Sequence, residues 1–97
     1  MGKSMYVMYL SQDDQLETTI FLGISNDPGK LYLNALNPQT ANRENKSLIL
    51  KWLIRVEANI NEQEQREMDY AFMHNHETEF SYRIKDMTLY IKRIQRY

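Results

Sequence analysis

Apolar side chains crowd into one stretch of the chain. Residues 47–60, SLILKWLIRVEANI, hold Leu48, Ile49, Leu50, Trp52, Leu53, Ile54, Val56 and Ile60 within about four helical turns. This is the central helix of the expected fold. Upstream of it the apolar positions alternate instead. Residues 5–10 (MYVMYL) and 18–24 (TTIFLGI) are rich in β-branched and aromatic side chains and predict two strands, separated by the polar SQDDQ. Ser25-Asn26-Asp27-Pro28-Gly29 reads as a turn in which Pro28 presets φ at the first central position and Gly29 accepts a positive φ at the second. Residues 30–36 are then expected as a third strand, paired with the second as a hairpin.

The polar run NPQTANRENK at 37–46 contains Pro38, which cannot donate to a ladder and ends that strand. Thr40, Asn42 and Ser47 each suit an N-cap, so the helix is expected over 44–60 with its start open by a few residues. An unbroken helix from 44 to 75 would measure about 48 Å, whereas a compact domain of this size is only about 30 Å across. A break is therefore expected at Asn59-Ile60-Asn61, with Asn61 capping a second helix over 62–74 and Glu64 closing an Asn-x-x-Glu box. The alternative is a projecting rod that pairs like a coiled coil.

The last thirty residues carry the sharpest local pattern. A two-residue turn at Lys85-Asp86 pairs Ile84 with Met87, Tyr82 with Leu89 and Phe80 with Ile91 on one face. The other face then pairs Arg83 with Thr88, Ser81 with Tyr90 and Glu79 with Lys92, an opposite-charge pair. Together these elements predict one α+β domain: three N-terminal antiparallel strands, two helices and a C-terminal β-hairpin, in the order βββααββ. The hairpin either extends the sheet or forms a second small one. A chain of 97 residues has too little buried volume to divide between two cores.

Composition narrows the function classes. With 42% apolar and 26% charged residues, the chain is of ordinary globular type. No run approaches the roughly 18 apolar residues of a spanning helix, so no membrane role is expected. MGKSMYVMYL has no small-residue cleavage site and reads as a strand rather than a leader, which makes the cytoplasm the expected location. Without cysteine, neither disulfides nor thiolate chemistry is available. His74 and His76 are two apart, with only carboxylates such as Asp13, Asp14 and Glu77 to complete a set, and the stretch reads as a polar loop; no metal is expected. No serine lies in a G-x-S-x-G elbow, and Asp13-Asp14 reads as a solvated turn, so neither a catalytic residue nor a cofactor is assigned.

The formal charge of −1 conceals an asymmetry. Glu62, Glu64, Glu67, Asp69, Glu77 and Glu79 face the lone base Arg66, and then Arg83, Lys85, Lys92, Arg93 and Arg96 face the lone acid Asp86. The first reading is a small non-enzymatic module that binds another protein, an inhibitor or adaptor. It would act through an acidic face of the second helix comprising Glu62, Arg66, Asp69, Tyr70 and Met73. Its size and acidic face match those of small virus- or phage-encoded inhibitors of host defence, an analogy of scale without a shared motif. The alternative is nucleic-acid binding by the basic hairpin, with Arg83, Tyr90, Lys92, Arg93 and Arg96 neutralising phosphates and stacking on bases. The central helix is also too apolar for a one-sided core element. Leu50 and Ile54 lie at the far edge of its apolar arc and are expected to form the seam of a homodimer.

Overall fold

The structure, a computed structural model, describes residues 3–13, 18–75 and 77–96. It is α+β: a four-stranded antiparallel sheet in the order β2-β1-β4-β3, with three helices against one of its faces. Strand β1 (Lys3–Gln12) lies between β2 (Thr18–Ser25) and β4 (Met87–Arg96), and β3 (Glu79–Ile84) forms the far edge. The helices α1 (Pro28–Ala35), α2 (Arg43–Asn59) and α3 (Glu62–Met73) all fall between β2 and β3 in the chain. The C-terminal hairpin extends the sheet by laying β4 along the whole of β1, from Lys3 opposite Arg96 to Gln12 opposite Met87.

The expected third strand is the principal correction. Residues 28–35 are helix α1, so the element order is ββαααββ, with two N-terminal strands and three helices. The reason lies in the residues taken for a turn. Asp27 is extended, its carboxylate accepts the N–H groups of Gly29 at 2.9 Å and Lys30 at 3.4 Å, and Pro28 fills the first helical position. That combination is a helix start, since proline gives up an N–H that would be unpaired there in any case. Gly29 accordingly takes no positive φ. Leu31, Tyr32 and Ala35 are buried and Leu33 is exposed, which is helical spacing rather than alternation. Helix α1 lies close on β2 because Gly23 has no side chain: a Cβ there would come within 3.2 Å of Leu31 Cδ1.

The two downstream helices follow their expected bounds closely. Asn42 caps α2 by accepting the Asn45 N–H at 2.9 Å. At the break, Asn61 accepts the Glu64 N–H at 2.8 Å while the Glu64 carboxylate accepts the Asn61 N–H at 3.2 Å, a complete capping box. Helix α2 spans the sheet. Near its start Asn45 Nδ2 donates to the Phe21 carbonyl of β2 at 2.9 Å, and near its end Arg55 Nη2 sits 2.9 Å from Asp86 Oδ1 at the β3–β4 turn.

Beneath the helices lies one core of Met8 and Leu10 from β1, Met87, Leu89 and Ile91 from β4, and Ile84 from β3. Above it sit Leu48, Ile49, Trp52 and Val56 of α2, Leu31 and Tyr32 of α1, and Met68 and Phe72 of α3. Phe72 is parallel to Tyr32 at 5.2 Å and edge-on to Phe80 of β3 at 4.9 Å, tying α1, α3 and the sheet together.

The β3–β4 pairing has the expected register at every position, from Glu79 opposite Lys92 to Ile84 opposite Met87. Its two-residue turn holds Lys85 at φ 56, a conformation that a Cβ penalises. Lys85→Gly is therefore expected to stabilise the fold by about 0.5–1 kcal/mol, the relieved backbone outweighing glycine's greater freedom when unfolded. Thermal unfolding should show Tm rising by about 2–8 °C, and the β-branched Lys85→Val should lower it.

Candidate interaction surface on the open sheet face

Because every helix packs on one face, the other face of the sheet has no cover among the described residues. Strand alternation sends Met5, Val7 and Tyr9 of β1 and Tyr90, Lys92 and Ile94 of β4 to that open face. β2 contributes through an irregularity. Met8 pairs with Gly23 and Tyr9 with Phe21, so Leu22 is an extra residue, a β-bulge. The bulge allows Ile20 and Leu22 to pack against the core while Phe21, opposite Tyr9, and Ile24, opposite Val7, both face outward. In an unbroken strand, residues three apart would point to opposite faces.

The result is a row of rings across three strands. Tyr9 lies 5.6 Å from Phe21 on one side and 5.8 Å from Tyr90 on the other, the latter pair stacked. Phe21 is 47% exposed and Ile24 55%. Val7 is buried although it lies outside the helix-covered core. The cations of this face stand on β4 and β3, with carboxylates nearby. Arg83 Nη2 is 3.2 Å from Asp13 Oδ2, Arg83 Nε donates to the Lys85 carbonyl at 2.8 Å, and Lys92 is directly across from Glu79.

The expected hairpin residues therefore divide. Arg83, Tyr90 and Lys92 share the open face, while Arg93 falls on the opposite face, across from Tyr6. Arg96 ends β4, and its side chain lies outside those described. Tyr9 and Phe21 were not among the residues singled out in the sequence. The sequence signal for Tyr9 is that MYVMYL is apolar on both faces, Val7 and Tyr9 alternating with Tyr6, Met8 and Leu10; nothing in TTIFLGI marks Phe21.

Glu62, Arg66, Asp69, Tyr70 and Met73 stand at helical spacing on one face of α3, and Glu62, Arg66 and Asp69 line one shallow depression with Gln65. Glu62 and Arg66 are exposed, and Tyr70 is exposed with its ring 4.4 Å from that of His74. Asp69, by contrast, accepts a hydrogen bond from the buried Tyr32 hydroxyl, and Met73 is half-buried against the core. Burial first, and then Asp69, push the Tyr32 hydroxyl far above the ordinary tyrosine range. Asp86 is displaced the other way. The Gln12 amide, donating to Oδ2 at 3.2 Å, is the foremost cause, and Arg55 adds to it, so the carboxyl is held below its usual range. Both shifted groups tie elements of the fold together. Among the described residues no three His, Asp or Glu side chains are placed to hold a metal; His76 lies outside them. Leu50 and Ile54 are both exposed on α2, and Leu53 joins them.

Among the described residues no helix is long and apolar enough to cross a membrane. The chain matches no protein-family model, and comparison with curated proteins and with solved structures gives no match.

Proposed function

We propose that this chain is a non-enzymatic protein-binding module, an inhibitor or adaptor, whose contact surface is the open face of the sheet. The observation that carries this reading is the Phe21–Tyr9–Tyr90 row with Ile24 beside it, apolar across β2 and β1 with its charges on the β4–β3 side. Protein interfaces are built on such aromatic anchors. The charges also distinguish between partners. A strand of nucleic acid needs uncompensated cations along its phosphates, but Arg83 is beside Asp13 and Lys92 faces Glu79. The occupant this favours is a protein surface with little net charge.

Two measurements test the proposal. A photo-crosslinking residue at position 21 is expected to yield a defined protein adduct that is lost with Ile24→Glu, while one at position 67, on exposed α3, yields none. An adduct from position 67 alone would move the interface to the helices and overturn the sheet-face reading. In the second, a labelled oligothymidylate is titrated with the protein at about 50 and 200 mM salt, and no saturable binding is expected at either. Binding that weakens steeply with salt and is lost in Lys92→Ala would assign the face to single-stranded nucleic acid instead, with the ring row stacking on bases.

A further inference from the structure

Helix α2 is apolar on two sides. It buries Leu48, Ile49, Trp52 and Val56 against the sheet, yet Leu50, Leu53 and Ile54 remain 41%, 38% and 65% exposed. At 3.6 residues per turn the exposed group is centred roughly 140° around the helix from the buried one, so it is not an overflow of the core. The same outward stripe carries Arg43 and Lys46 at its start and Glu57 at its end, all exposed. Among the described residues none of these three side chains has a hydrogen-bond or ion-pair partner. Their order is also the reverse of what the helix dipole favours, which is acids at the N-terminus and bases at the C-terminus. Neither the core nor the helix itself accounts for a stripe that reads basic, apolar, acidic.

We propose that α2 docks antiparallel on α2 of a second copy of this chain, around a two-fold axis between positions 51 and 52. Lys46 and Glu57 lie about 16 Å apart along the helix, equally distant from that axis. Each Lys46 then meets the second copy's Glu57, each Leu50 meets the second copy's Leu53 beside the axis, and Ile54 flanks that pair one residue farther out. A parallel pair would set Lys46 against Lys46 and Glu57 against Glu57, so charge alone selects the antiparallel arrangement. The stripe is one helix wide and about 20 Å long, too small for the roughly 1,200 Å² of a standard stable complex. The dimer is therefore reversible, half-formed at about 10–100 μM. It leaves the open sheet face free and stands independently of the function proposed for that face.

Sedimentation velocity over a concentration series from about 2 μM to 1 mM, which brackets that affinity, tests the proposal. The weight-average mass is expected to rise from 11.7 kDa toward twice that value. Lys46→Glu and Glu57→Lys should each weaken association at least tenfold, and the Lys46→Glu/Glu57→Lys double variant should restore it. Both single changes suit the helix dipole, so the thermal midpoint of the dilute monomer should not fall, which separates lost association from misfolding. A mass that stays at the monomer value throughout overturns the proposal. Association that survives both single changes, or that the double variant fails to restore, overturns the antiparallel pairing.

Discussion

Replacing Trp52 with alanine is expected to remove about 3–5 kcal/mol of stability, the range for emptying a large aromatic site in a packed core. Trp52 is the largest fully buried side chain, and it joins α2 to the sheet in the same cluster as Met8, Leu10 and Leu89. Small domains hold about 5–15 kcal/mol in total, so Trp52→Ala consumes a large fraction of the margin. Because Trp52 is the only tryptophan, urea unfolding of the variant must be followed by far-UV circular dichroism rather than fluorescence. The expected result is a midpoint lowered with little change in slope, or no folded baseline at all. The comparison that gives this meaning is Ile54→Ala on the same helix. At 65% exposure Ile54 should cost less than about 0.5 kcal/mol. A large loss at position 54 in dilute monomer, or a small one at 52, would reverse the orientation of α2 described here.

Alkaline pH is expected to weaken the fold through Tyr32. Its hydroxyl is buried and donates to Asp69, joining α1 to α3. Deprotonation would place a phenolate in the interior against a carboxylate, which is why its folded pKa is raised. Since the folded protein holds this proton more tightly than the unfolded chain, the contribution is fully present below the unfolded tyrosine value and is lost as pH climbs above it. Stability should fall by about 1.4 kcal/mol for each pH unit above roughly 10. Tyr32→Phe should remove that dependence and cost about 1.5–3 kcal/mol at neutral pH, the value of a hydrogen bond to a charged acceptor. Urea midpoints measured from pH 7 to about 11, on either side of the free tyrosine value, would show the two curves converging. Parallel curves would mean that the Tyr32 hydroxyl is not sheltered.

What could be seen in the sequence was what is local. The register of the β3–β4 hairpin was visible because Phe80, Tyr82, Ile84, Met87, Leu89 and Ile91 make sense only when paired about Lys85-Asp86. The α2–α3 break was visible because Asn61 and Glu64 form a box on their own. α1 was misread because Leu31, Leu33 and Ala35 also fit an alternating strand. The deciding evidence was Asp27 beside Pro28, a helix start that resembles a turn when Gly29 follows. The open face was beyond reach for a different reason. Tyr9 meets Phe21 only because Leu22 bulges, and meets Tyr90 only because β4 returns to β1 across most of the chain. No spacing within one segment encodes a pairing between distant segments.

The placing of β1 and β4 side by side at the middle of the sheet bears on how the protein is made. A ribosome releases β1 first and β4 last, yet these two strands form the seam on which the core depends. Until β4 emerges, α1, α2 and α3 have only the β1–β2 hairpin on which to lay their apolar sides. Until then much of the apolar surface of the helices has no partner. Closure is then a single long-range event rather than a gradual accretion, and the entropy of that loop must be lost before its contacts are gained. Newly made copies are therefore most vulnerable to aggregation and to capture by chaperones just before β4 arrives.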